Sequence, residues 1–330
     1  MLLRRISIGL GGLFLVLAVV FFAGPRPDTR FHPRPLALEA DLDLTVAKEE
    51  ARFTDIVPGA EKKIIWANAA HTRTPVALVY LHGFTATRQE TAPLSDRVAA
   101  RLGANLFYTR FTGHGRPGEA LGDATVNDWL NDGIEALEIG RRLGERVVVI
   151  GTSTGGTVAT WLALERPDAI SACVLVSPNF GPSDGRANLL TLPWASEFAP
   201  PIFGATRHRL PKTAEESKYW TTTYPTRALI PMMALVTMVK RAPLEELRVP
   251  MLVVYSPEDR VVDPKETERV LTRIGRAPVK TVLFAGRPGS NHHVLAGDIA
   301  APENTAELEQ LVFEYLSRLS LTPATPGAKP

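Results

Sequence analysis

Short apolar runs alternate along this chain with stretches in which apolar positions recur every three or four residues. The runs predict strands at Lys63–Trp66, Val76–Leu81, Asn105–Thr109, Val147–Ile150, Ala172–Val176, Met251–Tyr255 and Thr281–Phe284. Several are continuously apolar, as in a parallel sheet buried on both faces. The helical periodicity falls on Pro93–Leu102, Asn127–Leu143, Gly155–Glu165, Pro264–Ile274 and Glu303–Ser317. Alternation of this kind predicts an α/β fold, a mostly parallel central sheet with helices on both faces.

One interval breaks the rhythm. From about 179 to 247 no buried-strand pattern appears, and prolines and aromatics crowd together: Trp194, Phe198, Ile202, Phe203, Tyr219, Trp220 and the run Ile230–Val239. An insertion of this kind predicts a helical cap over the C-terminal edge of the sheet. Its aromatics and Met232, Met233 and Met238 would either line an acyl pocket or pack the cap onto the sheet.

The ends read differently. Ile6–Gly24 is uncharged and apolar behind Arg4 and Arg5. As a helix it would reach roughly 28 Å, close to a bilayer's hydrocarbon thickness. Residues 1–24 are therefore expected to be a single membrane anchor, with the rest of the chain outside the cytoplasm, or else a cleaved secretion signal. Residues 25–55 hold a proline-rich spacer (Pro25, Pro27, Pro33, Pro35) and a short charged helix at Asp41–Arg52, with Leu42, Leu44 and Val46 as candidate packing residues. The globular domain is expected over 56–320, followed by a disordered tail at 321–330.

Composition narrows the function. The chain is 45% hydrophobic and 22% charged with a formal net charge of +2, an ordinary globular balance. The absence of a basic cluster interleaved with aromatics argues against a nucleic-acid partner. The lone cysteine, Cys173, excludes an intrachain disulfide and reads as a buried thiol. His71, His82, His114 and His208 have no metal-ligand spacing, so neither a metal nor a cofactor is called for.

The chemistry concentrates at Val147-Val148-Val149-Ile150-Gly151-Thr152-Ser153-Thr154-Gly155-Gly156, a strand, a G-x-S-x-G turn and the start of a helix. A serine on such a turn presents its hydroxyl at the sheet edge, and the glycines let neighbouring elements approach. The helix amino terminus behind it favours developing negative charge. Acyl transfer also needs two fixed N–H donors for the oxyanion. Thr154 N–H supplies one. Phe84, in the strand-loop Leu78–Thr85, is placed to supply the other, with Gly83 giving the turn and His82 bracing the loop.

The strand-HGF, strand-GHG (Gly113-His114-Gly115) and strand-GTSTGG segments, in this order, resemble the α/β-hydrolases, particularly the lysophospholipase and monoacylglycerol-lipase-like branch. The resemblance spans roughly Lys63–Ser317 and implies a nucleophile, acid, histidine order. Met251–Val262 is similar to the family's acid segment, with Ser256 where a glycine is usual, and it implies Asp259 as the acid, with Glu258 and Asp263 as rivals. Asp263 before Pro264 also reads as a helix N-cap. Gly289–Asp298 is similar to the histidine segment. His293, with Leu295 and Asp298 behind it, fits the pattern better than His292.

These residues predict a serine hydrolase of carboxylic esters acting through an acyl-enzyme, on a monoacylglycerol, a lysophospholipid or a short-chain ester. An aminopeptidase or amidase would need an acid near the cap, for which Glu197, Glu215 and Glu216 are candidates. An acyltransferase and a non-catalytic scaffold complete the alternatives.

Overall fold

The computed structural model describes residues 2–286 and 292–321, with side chains from residue 12 onward. Its strands are β1 (Lys63–Ile65), β2 (Thr74–Leu81), β3 (Asn105–Tyr108), β4 (Gly144–Thr152), β5 (Ala172–Val176), β6 (Thr206–His208), β7 (Thr223–Pro225), β8 (Met251–Tyr255) and β9 (Val279–Leu283). The helices are α1 (Leu2–Phe22), α2 (Leu42–Glu50), α3 (Leu94–Leu102), α4 (Gly118–Gly122), α5 (Val126–Leu143), α6 (Thr154–Glu165), α7 (Ala195–Phe203), α8 (Ala214–Tyr219), α9 (Leu229–Arg241), α10 (Pro264–Leu271) and α11 (Thr305–Arg318).

Seven strands form one sheet in the order β1-β3-β2-β4-β5-β8-β9, parallel except for β1. Alternate side chains of the central strands feed two cores, because successive residues point to opposite faces. Val79, Val149 and Cys173 pack on one side with α5, α6 and α9, and Leu78, Val148 and Val174 on the other with α3 and α11. Burial pushes the Cys173 thiol up to about 12, so it stays an inert core group. The β4 strand lies mid-sheet, and its last residues pair with the ends of β2 and β5, which fixes the height of the turn that follows.

Between β5 and β8 the chain forms α7, α8, α9 and the antiparallel ribbon β6–β7. No strand of this insertion joins the main sheet. Met233, Leu235 and Val236 of α9 are buried in the first core, against α6.

Ahead of the sheet, the proline-rich segment lies along α5. Asn127 accepts from His32 N, Asn131 accepts from Arg34 N and donates to His32 O, and Arg34 pairs with Asp128. Phe31 meets the Trp161 ring edge-on at 5.0 Å. In α2, Leu42 and Val46 are buried as expected, but Leu44 is exposed and Thr45 takes its place. The helical period puts 42, 45 and 46 on one face, which alternate positions cannot share.

The membrane-anchor expectation is corrected. Among the described residues no helix is long and apolar enough to cross a membrane. The single anchoring helix, and the extracytoplasmic location drawn from it, are therefore unsupported. The C-terminal end of α1 instead meets the insertion, where Trp194 Nε1 donates to Phe21 O at 3.1 Å. The tail expected to be disordered lies, apart from Leu321, outside the described residues, as do Gly289–Asn291 of the histidine segment.

A buried ionic cluster ties α2 to α5. Lys62 Nζ donates to Glu135 at 2.7 Å and to Glu49 at 2.6 Å. Burial pushes the Glu135 carboxyl up to about 8 and that of Asp132 up to about 6. Removing Lys62 takes away the buried donor that Glu49 and Glu135 share. Lys62→Met is expected to destabilise the fold by about 3 kcal/mol, read from urea unfolding.

Candidate active site

Ser153 occupies the turn between β4 and α6 with φ 52° and ψ −117°, a conformation that costs a non-glycine residue on the order of 1–3 kcal/mol. Surrounding hydrogen bonds hold it there. Ser153 N donates to Val176 O at 3.0 Å, and Asn179 N donates to Ser153 O at 2.9 Å. A side chain at Gly155 could not fit, since its Cβ would stand 2.0 Å from Leu81 O. The glycine thus lets α6 start directly against the end of β2.

The acid and the histidine arrive from the other side. Asp259 lies in the loop after β8, and its Oδ1 accepts from Val261 N at 2.8 Å and Val262 N at 3.0 Å. Its Oδ2 accepts from His293 Nδ1 at 2.7 Å. With that proton on Nδ1, His293 Nε2 accepts from Ser153 Oγ, 3.1 Å away. All three residues are buried. The rivals lie elsewhere: Glu258 is exposed and faces His292 at 3.4 Å, and Asp263 N-caps α10 by accepting from Lys265 N.

The loop after β2 completes the turn region. Burial pushes His82 down to about 4, so its ring is neutral. Its Nε2 accepts from Phe111 N at 3.0 Å, which places the proton on Nδ1 for donation to Gly83 O at 2.9 Å. His82 therefore bridges two post-strand loops from behind. Among the described residues, neither Phe84 N–H nor Thr154 N–H donates to a protein acceptor. His114 is buried in the neighbouring loop, its ring 4.9 Å from that of His82, between Gly113 and Gly115 at φ 83° and 63°.

Glu90 was not legible as a site residue. It is fully buried, and Oε1 accepts from Gly83 N at 2.6 Å and from Tyr80 OH at 2.8 Å. A Cβ on Gly83 would stand 2.9 Å from Glu90 Oε2 and 3.2 Å from Ser153 Cβ, so the carboxyl sits directly beneath the loop beside the serine. Burial pushes it up to about 8. Nothing in Arg88-Gln89-Glu90, a charged stretch that reads as a surface turn, signals this.

A cavity of about 380 Å³ opens above Ser153. Phe84, Asn179 and His293 line its floor, and Phe203, Trp220, Tyr224 and Met232 of the insertion line its walls. Of the aromatics marked in the sequence, Phe203 and Trp220 reach the cavity, whereas Trp194 serves the end of α1. Glu216 borders it, but pairs with Arg209 and accepts from Lys212 N; Glu197 and Glu215 do not line it. Among the described residues no group of three His, Cys, Asp or Glu could hold a metal ion.

A family model described as serine aminopeptidase, S33, matches residues 72–296. A thermostable monoacylglycerol lipase of Bacillus sp. strain H-257 is 27% identical over 228 residues, 69% of this chain and 86% of the lipase. Among solved structures, one from the metagenome-derived lipolytic enzymes LipS and LipT superposes with a TM-score of 0.67 at 19% identity, covering 80% of this chain and 99% of that one. The monoacylglycerol lipase of Paleococcus ferrophilus gives 0.59 at 16% identity, covering 79% and 98%. The shared architecture is the α/β-hydrolase fold.

Proposed function

The chain belongs to the serine aminopeptidase S33 family of hydrolases, and from that premise we propose that it hydrolyses carboxylic esters of monoacylglycerol type, with Ser153 as nucleophile. The observation that carries this reading is the Asp259–His293–Ser153 relay at 2.7 and 3.1 Å under an apolar-walled cavity. His293 takes the serine proton as Oγ attacks the acyl carbonyl, and the imidazolium is balanced by Asp259. Phe84 and Thr154 N–H groups receive the oxyanion, at the amino terminus of α6. His293 then protonates the leaving alcohol, and water repeats the sequence on the acyl-enzyme. The insertion at about 179–247 serves as the cap.

The ester reading is favoured over an amine-recognising peptidase by the cavity's charges. An α-ammonium needs a free carboxylate, and Glu216 is already engaged by Arg209. A panel of p-nitrophenyl esters of rising chain length against aminoacyl anilides tests this. Ester turnover without anilide turnover is expected, and the reverse would overturn it.

Glu90 adds a pH dependence. Below about 8 its carboxyl is protonated, and above that an anion forms beneath the oxyanion loop and opposes the oxyanion. The kcat is expected to fall several-fold as pH rises through about 8. Glu90→Gln keeps an acceptor for Gly83 N–H and should flatten that limb of the pH–rate profile.

A further inference from the structure

Among the described residues, Arg207 is a cation lining the cavity that forms no ion pair with a carboxylate. Arg207 lines it from β6, and register places it directly across from Tyr224 on β7, so the two side chains share a face of the ribbon. The Tyr224 ring in turn meets the Phe84 ring edge-on at 5.6 Å, which brings this face to the loop beside Ser153. Arg207 Nη1 donates to Phe203 O at 2.9 Å, which orients the guanidinium and leaves its other N–H groups without a protein partner among the described residues.

The other charges around the cavity are accounted for. Asp184 accepts from the backbone N, Nε and Nη2 of Arg186, and Glu216 is held by Arg209 and Lys212 N. Glu90 is deeply buried and spent on Gly83 and Tyr80. Among the described residues Arg207 takes part in no salt bridge, although Asp184 is near enough to feel its charge. Much of the remaining lining is apolar, so an anion seated beside Arg207 would meet a cation that no ion pair already engages among the described residues.

We propose that Arg207 forms an anion subsite in the cavity, and that the preferred esters carry a carboxylate or phosphate away from the scissile bond. This rests on the ester-hydrolase reading and deepens it. A guanidinium offers a planar fork to either oxyanion, so the two groups share one chemistry.

The test uses p-nitrophenyl monoesters of dicarboxylic acids of rising length beside methyl-ended esters of the same length, and a phosphate-bearing acyl glycerol beside its uncharged counterpart. At the best length the anionic ester should have a kcat/KM about tenfold above its neutral match, shrinking as salt is raised. Arg207→Gln should abolish the ratio, Arg207→Lys should keep part of it, and Arg207→Glu should invert it. The ratio is taken within each variant, so a loss of folded protein cancels. A preference confined to the carboxylate or to the phosphate series identifies the source of the anion and supports the subsite. Equal rates on charged and neutral esters, or a ratio untouched by Arg207→Gln, overturn it while leaving ester hydrolysis standing. No turnover of any ester would instead sink the reading beneath it.

Discussion

Ser153→Ala is expected to lower kcat on ester substrates by roughly 10⁶-fold, because removing a nucleophile costs about as much as removing the whole relay. The strain at this position makes the comparison clean. Alanine meets the same φ of 52° as serine and loses only the oxygen, so the turn, anchored through Ser153 N and O to Val176 and Asn179, should stay in place. Fluorophosphonate labelling gives the second readout, and the variant should not label while its thermal unfolding stays close to that of the parent. Ester turnover near the parent rate would remove Ser153 from the mechanism.

Asp259→Asn is expected to cost about 10⁴-fold in kcat for a different reason. An asparagine Oδ1 can still accept from Val261 and Val262 N–H, so the loop keeps its shape. Its amide group would then face His293 Nδ1 as a donor and force the ring proton onto Nε2. A protonated Nε2 cannot accept the serine proton. Single-turnover kinetics should show acylation slowed with KM little changed. Glu258→Gln, at the exposed rival carboxylate, should stay within twofold of the parent.

The sheet was legible because its central strands are buried on both faces. Val147–Ile150 and Ala172–Val176 carry no polar residue, and a continuous apolar run leaves little choice of element. The turn at Ser153 was legible because geometry restricts it: Gly151 and Gly155 stand where the chain passes close to itself. His293, with Leu295 and Asp298 behind it in the motif, stands within hydrogen-bond reach of Asp259 and Ser153. What stayed hidden depends on contacts far apart in sequence. Glu90 is buried only because the loop at Gly83 folds over it, and local sequence carries no mark of that. Arg207 looks like any surface arginine until the ribbon register sets it opposite Tyr224. Leu44 shows the converse, an apolar residue turned outward by the helical period.

Cys173 lies in β5, fully buried between β4 and β8, and it is the only cysteine in the chain. It can therefore serve as a built-in clock for the opening of the core. A thiol reagent such as dithionitrobenzoate can reach the sulfur only when the helices packed on that face lift or the sheet itself opens, so the labelling rate in native buffer measures how often the core opens. No engineered probe is needed, and a substrate analogue seated above Ser153 should slow that clock in proportion to its affinity.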